Sequence, residues 1–322
     1  MNEIIQRLSD RLSDVRDLVS RTNKSSVLVI QQFPLETDTA TLIPAVRESV
    51  SNILAFIELG EVQVLEQVIQ LADGAVDIVL FDDDLKCQNS EELINMAREG
   101  VRKSRLFFYS DYNTWADSAM QLIQQVVKGL KGKKVLLSGE GSLKELMLQK
   151  LLHANALVNT AAQGTGEVSM YAANEFPDCI IGASIKTLSL ADEKIAVVTG
   201  HTFIFDVGIG NFSRNFISES MQKGAGVYRV DIRAGISSTV LGILETDYLI
   251  RNIMGRTVLN GVEIVAGGYM GQKGAIIVDD ISRPSYIIGV ADGQGNVMVP
   301  GESDRSNIEF ITRLIGRNNE PS

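Results

Sequence analysis

The segment Val135-Leu136-Leu137-Ser138-Gly139-Glu140-Gly141-Ser142-Leu143-Lys144-Glu145-Leu146 constrains the fold more than any other part of the chain. A basic turn (Lys131, Gly132, Lys133, Lys134) leads into a short apolar run, then two glycines, then Leu143, Leu146, Met147 and Leu151 at helical spacing. This is the strand, tight turn and helix of a dinucleotide-binding unit. Glycine at 139 permits a turn that a Cβ resists. Glycine at 141 lets backbone N–H groups approach a pyrophosphate at a helix N-terminus, where the dipole favours negative charge. Gly139, Glu140, Gly141 and Ser142 are therefore the first expected cofactor-binding residues.

The pattern lacks its third glycine, because position 144 is Lys144. A lysine there implies a wider turn or a helix rotated outward. The next expected strand, Ala156 to Thr160, ends in Asn159 and Thr160. Neither an acid for a ribose 2′-hydroxyl nor an arginine for a 2′-phosphate stands at its end, so the cofactor is NAD or NADP with little preference. A glycine-rich turn between strand and helix with no cofactor also satisfies the pattern.

Around this turn, apolar segments alternate between strand and helix character. The spacing predicts helices over 3–20, Leu42–Leu54, Val62–Leu71, Glu91–Lys103 and Thr114–Lys128, with strands at Val27–Ile30, Val76–Phe81 and Leu106–Tyr109. Further strands follow at Val135–Leu137, Ala156–Val158, Cys179–Ile181, Ile195–Val198, Phe203–Val207 and Val227–Ile232. The fold class is α/β, with two α/β domains. The first, 1–120, is an N-terminal substrate domain, and the second, 121–300, is Rossmann-like and dinucleotide-binding. From Gly235 glycine becomes frequent between β-rich runs, giving a Gly-rich β segment near the C-terminus. A last helix over 305–318 is expected to pack on the N-terminal domain.

At 322 residues the chain is long enough for two domains and a sizeable core. The net charge of −10 argues against broad nucleic-acid binding and against a polybasic membrane patch. No apolar run approaches a membrane span. The start is an amphipathic helix carrying acids, not a signal peptide. Cys87 and Cys179 suggest no disulfide framework, and two histidines exclude a His-rich metal site. The expectation is a cytoplasmic, metal-free protein acting on a small molecule. Apolar stripes on the first and last helices (Ile5, Leu8, Leu12, Val15; Ile308, Ile311, Leu314, Ile315) point to the two helices packing together or against a second subunit, and a homodimer is the expected assembly.

Ligands of open α/β sheets bind beyond the carboxyl ends of the strands. Asp82, Asp83, Asp84 and Lys86 follow one such strand. A lysine beside carboxylates acts as an acid or base if burial lowers its pKa, and a solvated acidic loop is the plainer alternative. Alternation along 227–233 puts Arg229, Asp231 and Arg233 on one strand face, with Ser237 close behind. An arginine fork suits a carboxylate, so Arg233, Arg229 and Ser237 are the expected residues for an anionic substrate. An ion-pair ladder on an edge strand explains the same layout. His201 lies in a loop and could titrate near neutral pH, or is simply a surface residue. The Gly267–Gly274 run with Lys273 is a turn between strands or a second phosphate loop.

The order of elements resembles the two-domain dehydrogenases of the shikimate dehydrogenase and methylenetetrahydrofolate dehydrogenase type. The resemblance runs through Tyr112-Asn113-Thr114, the following helix, and the stretch Leu130 to Gly141. Asp178–Ser184 and Asp206-Val207-Gly208-Ile209-Gly210-Asn211 are similar to two further strand ends of those enzymes. Trp115 stands where the shikimate type carries an aspartate. The resemblance implies that Gly182, Ala183, Ser184, Gly208 and Gly210 lie along the nicotinamide half of NAD or NADP. It also implies a lysine and an aspartate across the cleft, for which Lys86 with Asp111 is the candidate catalytic pair. The expected function is an NAD(P)-dependent oxidoreductase acting on a small, anionic biosynthetic intermediate held in the cleft between the two expected domains. The alternative is a Rossmann-like non-redox enzyme, or a ligand-binding or assembly protein without hydride transfer; Lys144 and Asn159 favour it.

Overall fold

The computed structural model describes residues 2–32, 41–59, 62–87, 89–160, 176–184, 197–208, 210–230 and 233–318. The chain forms two compact units, Met1–Thr239 and Val240–Ser322. The first holds two five-stranded sheets and the second holds one. The fold class is α/β, as the alternation of periods requires.

The first sheet contains β1 (Ser25–Gln32), β2 (Arg47–Glu48), β3 (Asn52–Leu59), β4 (Ile78–Asp82) and β5 (Arg105–Tyr109), in the order β2-β3-β1-β4-β5. All pairings are parallel except β2 with β3. β1 is central and buried from Ser26 to Gln32, which is why its middle, Val27–Ile30, is a continuous apolar run and not an alternation. Helix α1 (Asn2–Arg21) seals one face with Leu8, Leu12 and Val15, beside α2 (Leu65–Ala72) and α3 (Ser90–Gly100). Among the described residues, this core draws only on those between Ile4 and Phe108. The helix expected over Leu42–Leu54 is absent. Ile53, Leu54, Ala55, Phe56 and Ile57 are all fully buried, on both faces of a parallel strand. A run that is apolar on every residue fits either period, and here burial on two faces decides for the strand.

The second sheet is parallel throughout, in the order β10-β9-β8-β6-β7. Its strands are β6 (Lys134–Gly139), β7 (Leu157–Thr160), β8 (Cys179–Ala183), β9 (Phe203–Asp206) and β10 (Gly226–Arg229). α4 (Asp111–Val127) and α5 (Gly141–His153) cover one face, and α6 (Arg214–Gln222) covers the other. The expected boundary at 120/121 falls inside α4. The buried residues of that helix, from Ala116 to Val127, join the core of the second sheet. Lys144 does not push α5 away, because Leu143, Met147 and Leu151 are buried and Lys144 lies half-buried on the flank.

Helix α7 (Arg233–Tyr248) follows the second sheet and runs on into the second unit. That unit has β11 (Gly255–Leu259), β12 (Val262–Ala266), β13 (Ile276–Val278), β14 (Ile287–Ala291) and β15 (Val297–Met298), paired in chain order. The glycine-rich stretch thus forms a sheet of its own. α8 (Glu302–Asn318) packs Ile311 and Ile315 into that sheet's core, with Ile264, Ile276 and Val290. In the first stripe Leu8, Leu12 and Val15 are buried in the first core and Ile5 is half-buried; in the second Ile311 and Ile315 are buried in the third sheet's core and Ile308 and Leu314 are half-buried.

Candidate active site

In both sheets of the first unit the strand order reverses at the strand that leads it. β1 has β3 on one side and β4 on the other, and β6 has β7 and β8. Each reversal leaves a crevice beyond the carboxyl ends of two neighbouring strands.

At the first crevice, β4 ends in Asp82 and α4 begins at Asp111. Lys86 reaches between them. Its Nζ lies 2.6 Å from Asp82 Oδ2 and 2.6 Å from Asp111 Oδ2, with the three side chains 2%, 0% and 4% exposed. The remaining acceptors are engaged by fixed donors. Gln31 Nε2 (2.8 Å) and the Tyr109 hydroxyl (3.2 Å) donate to Asp111 Oδ1. The Asp84 backbone N–H donates to Asp82 Oδ1 (3.0 Å), and the Gln32 backbone N–H to Asp82 Oδ2 (3.2 Å). Gln32 Nε2 donates to the Asp82 carbonyl (2.7 Å), and Gln32 Oε1 accepts from Ser90 Oγ (2.7 Å). The ring of Tyr112 lies 4.9 Å from the Lys86 ammonium, the geometry of a cation–π contact. The acidic run is therefore not a solvated loop at Asp82 or Lys86, although Asp83 is exposed.

The electrostatics follow from this packing. Burial raises the Asp82 carboxyl to about 7; Lys86 opposes the rise and Asp111 adds to it. Burial alone would drive Lys86 down, but Asp111 and Asp82 outweigh it and the ammonium is held above its usual range. The expectation that burial lowers the pKa of this lysine is thus reversed, because two carboxylates share the burial with it. Tyr109 is pushed well above its ordinary value by burial and then by Asp111.

At the second crevice the glycine turn joins β6 to α5. Gly139 has φ +130° and pairs with Ala183; a Cβ on it would stand 2.0 Å from the Ala183 carbonyl oxygen. Gly141 has φ +74° and open space where a side chain would start. Glu140 is the N-cap of α5 and makes no side-chain capping bond. Gly182 and Gly208 make room for Asn211, which is buried: Cβ atoms on them would come within 2.5 Å of its side chain. Asn211 Nδ2 donates to Asp206 Oδ1 (2.7 Å) and to the Ser184 carbonyl (3.2 Å), tying the ends of β8 and β9 together. The Gly210 N–H donates to Asp206 Oδ2 (3.3 Å).

A cleft of about 390 Å³ opens between these edges. Asp84, Ser110, Tyr112 and Asn113 line it from the first sheet, and Ser142 and Glu145 from α5. Tyr112 therefore stands both on the cleft and over the Lys86 ammonium.

The strand proposed for 227–233 ends at Arg229, and α7 begins at Arg233. Alternation does not carry from Arg229 to Arg233. The helix is favoured because Ile236 and Val240, one turn apart, are both buried and Gly235 seats closely on Ser118 of α4. Arg229 lies on the edge strand and pairs with Asp206 of its neighbour at 3.3 Å, while 62% exposed. Ser237 is half-buried in α7. Asp231, Ile209 and the side chain of Arg233 lie outside the described residues. His201 is exposed in its loop, and Lys273 is exposed in the turn between β12 and β13. Gln31, Gln32 and Tyr109 were not singled out by the sequence, and Tyr112, Asp206 and Asn211 entered only within motifs of the resemblance, with no role of their own. The available signal was two amides closing an apolar strand, where a buried polar group demands partners.

No protein-family model matches this chain, and no curated protein matches it by sequence. Among solved structures, the chain is similar to two-domain dehydrogenases. The bifunctional methylenetetrahydrofolate dehydrogenase/cyclohydrolase of Campylobacter jejuni is 15% identical, with 71% of this chain and 88% of that chain covered and a TM-score of 0.37. The shikimate dehydrogenase of Aquifex aeolicus is 14% identical over 66% of this chain and 88% of that one, with a TM-score of 0.37. The L-tryptophan dehydrogenase of Nostoc punctiforme is 12% identical over 69% and 74%, with a TM-score of 0.38.

Proposed function

We propose that this protein is an NAD(P)-dependent oxidoreductase acting on a small polar intermediate held in the cleft of the first unit. The observation that carries the reading is the convergence on one cleft of a glycine turn at a strand-order reversal and the loops around the Lys86 cluster. The residues at the turn fit a pyrophosphate. Gly141 leaves open space, the first N–H groups of α5 have no side-chain cap, and Ser142 faces the cleft. Gly139, Glu140, Gly141 and Ser142 would hold it, with Gly182, Ala183, Ser184, Gly208 and Gly210 along the other half. The cofactor, when bound, supplies a hydride acceptor or donor.

The residues of the chain supply proton control. Lys86 keeps its proton at Nζ and is suited to donate to a developing substrate oxyanion, with Asp111 beside it. Tyr112 lies on the route from cleft to ammonium and must turn aside for that contact. Residues 1–120 would form the substrate half. An anionic substrate group would require Arg233, with Ser237, because Arg229 is engaged by Asp206.

The test is a titration of the purified full chain with NADH and with NADPH, followed by nicotinamide fluorescence and calorimetry. Saturable binding of either supports the reading, and absence of binding at millimolar concentration overturns it. Binding without turnover on any hydroxy or keto acid would favour the non-redox alternative, which the lysine at 144 also suits.

A further inference from the structure

We propose that Asp82 is a positioning residue of this site, the sheet-side jaw of a two-carboxylate clamp that fixes the Lys86 ammonium beside Asp111. The purpose of the clamp rests on the reading of Lys86 and Asp111 as the reacting pair; its existence does not.

The two jaws differ in what anchors them. Asp82 is the last residue of β4, in the middle of the sheet. Gln32 grips its main chain and the Asp84 N–H its second oxygen. Asp111 stands at the first turn of α4, between Ser110 and Tyr112, which line the cleft. Asp82 is thus the jaw held in the sheet, and Asp111, buried and held by Gln31 and Tyr109, is the jaw whose chain neighbours line the cleft. A lysine on its flexible stem has three donors that a single carboxylate leaves free to wander. With two carboxylates at 2.6 Å, two donors are committed and the third lies on the side of the Tyr112 ring.

Stability alone does not account for the arrangement. Two carboxylates and one ammonium taken out of water cost more than a hydrophobic trio of similar volume. Among the described residues, the groups around Asp82 supply no counter-charge other than Lys86. β1 presents Gln31 and Gln32, β5 presents Tyr109, and α4 presents Asp111 and Tyr112. Ser90 of α3 contacts Gln32, and the loop after β4 adds Asp84 and Lys86 itself. The raised carboxyl of Asp82 agrees with a charge tolerated only because the lysine is there.

The test uses the full chain with 13C,15N-labelled lysine and no cofactor. Loss of one ammonium resonance in Lys86→Arg assigns the Lys86 signal. In the wild type this signal should be sharp near neutral pH, where solvent-facing lysines exchange too fast to be seen. In Asp82→Asn its proton exchange should accelerate at least about tenfold, the effect of one unit of pKa. Asp82→Glu should restore part of the protection, which a merely packed carboxyl would not do. A folded Asp82→Asn with unchanged Lys86 exchange overturns the proposal. So does a wild type without a protected Lys86 signal, which covers the case in which Asp82→Asn does not fold. NADPH binding is measured on the same samples. A protected Lys86 in a protein that binds no nicotinamide cofactor leaves the clamp standing and removes the oxidoreductase reading; the converse removes the clamp alone.

Discussion

The α-carbon of Gly139 lies so close to β8 that a Cβ on it would stand 2.0 Å from the carbonyl oxygen of Ala183. That contact is backbone, so no side chain can swing away. Gly139→Ala should therefore cost more than about 4 kcal/mol and leave little soluble protein. Gly141→Ala meets nothing, and only its positive φ is strained, at about 1–2 kcal/mol. Thermal denaturation of the two variants should rank them in that order.

Gly141→Asp separates folding from cofactor binding. Aspartate tolerates the left-handed backbone better than most residues, so the fold should survive with a lowered Tm. Its carboxylate would occupy the open space in which a pyrophosphate must sit, and NADH or NADPH affinity should drop at least about tenfold. Unchanged affinity by calorimetry would move the cofactor away from this turn.

Asp82 makes stability depend on pH in an unusual direction. Burial first, with Asp111 adding and Lys86 opposing, places its folded-state pKa at about 7, above the ordinary carboxylate value. The native state therefore binds this proton more tightly than the unfolded chain. The contribution is complete below pH about 4 and is lost as pH rises through about 7. The lowered carboxyls of Asp73, Asp178, Asp279 and Asp292 act at more acid pH and in the opposite sense. Asp82→Asn should gain Tm relative to the wild type between pH 4 and 7. A constant difference across that range would contradict the assignment.

Arg229→Ala should change stability by less than about 1 kcal/mol, because the side chain is 62% exposed and water replaces it on Asp206. Asp206→Ala should cost more, about 2–3 kcal/mol. It strips the acceptor from Asn211 Nδ2 and from the Gly210 N–H in a buried turn. Urea unfolding of both variants checks the ratio.

Tyr112→Ala should open Lys86 to the cleft. Modification of Lys86 by an amine reagent, read by peptide mass spectrometry, should quicken on the order of tenfold if removal of the ring exposes the ammonium. Unchanged protection would mean that the carboxylates alone shield it.

Most of the α/β alternation was legible because helices α2 to α5 carry apolar stripes and the strands are short apolar runs. β3 itself was not, since residues buried on both faces lose the alternation that marks a strand. Lys86 and Asp111 could be paired through a family resemblance, and the structure brings them to 2.6 Å. Their third member was hidden in plain view. Asp82, Asp83 and Asp84 read alike in sequence, and only the end of β4 sends the first inward and leaves the second exposed. The run from Arg229 to Arg233 was misjudged because local alternation cannot see Gly235 seated on Ser118, a contact far away along the chain.

Among the described residues the first core contains nothing beyond Phe108, whereas the buried apolar face of α4 belongs to the second. During synthesis on the ribosome the N-terminal sheet can thus close while the second sheet is still being made. Lys86 and Asp82 are then already in place, but Asp111 arrives on a helix that has no core of its own until later strands emerge. The charged cluster is completed last, so the half-made protein carries its sheet and two of the three buried charges but not the third.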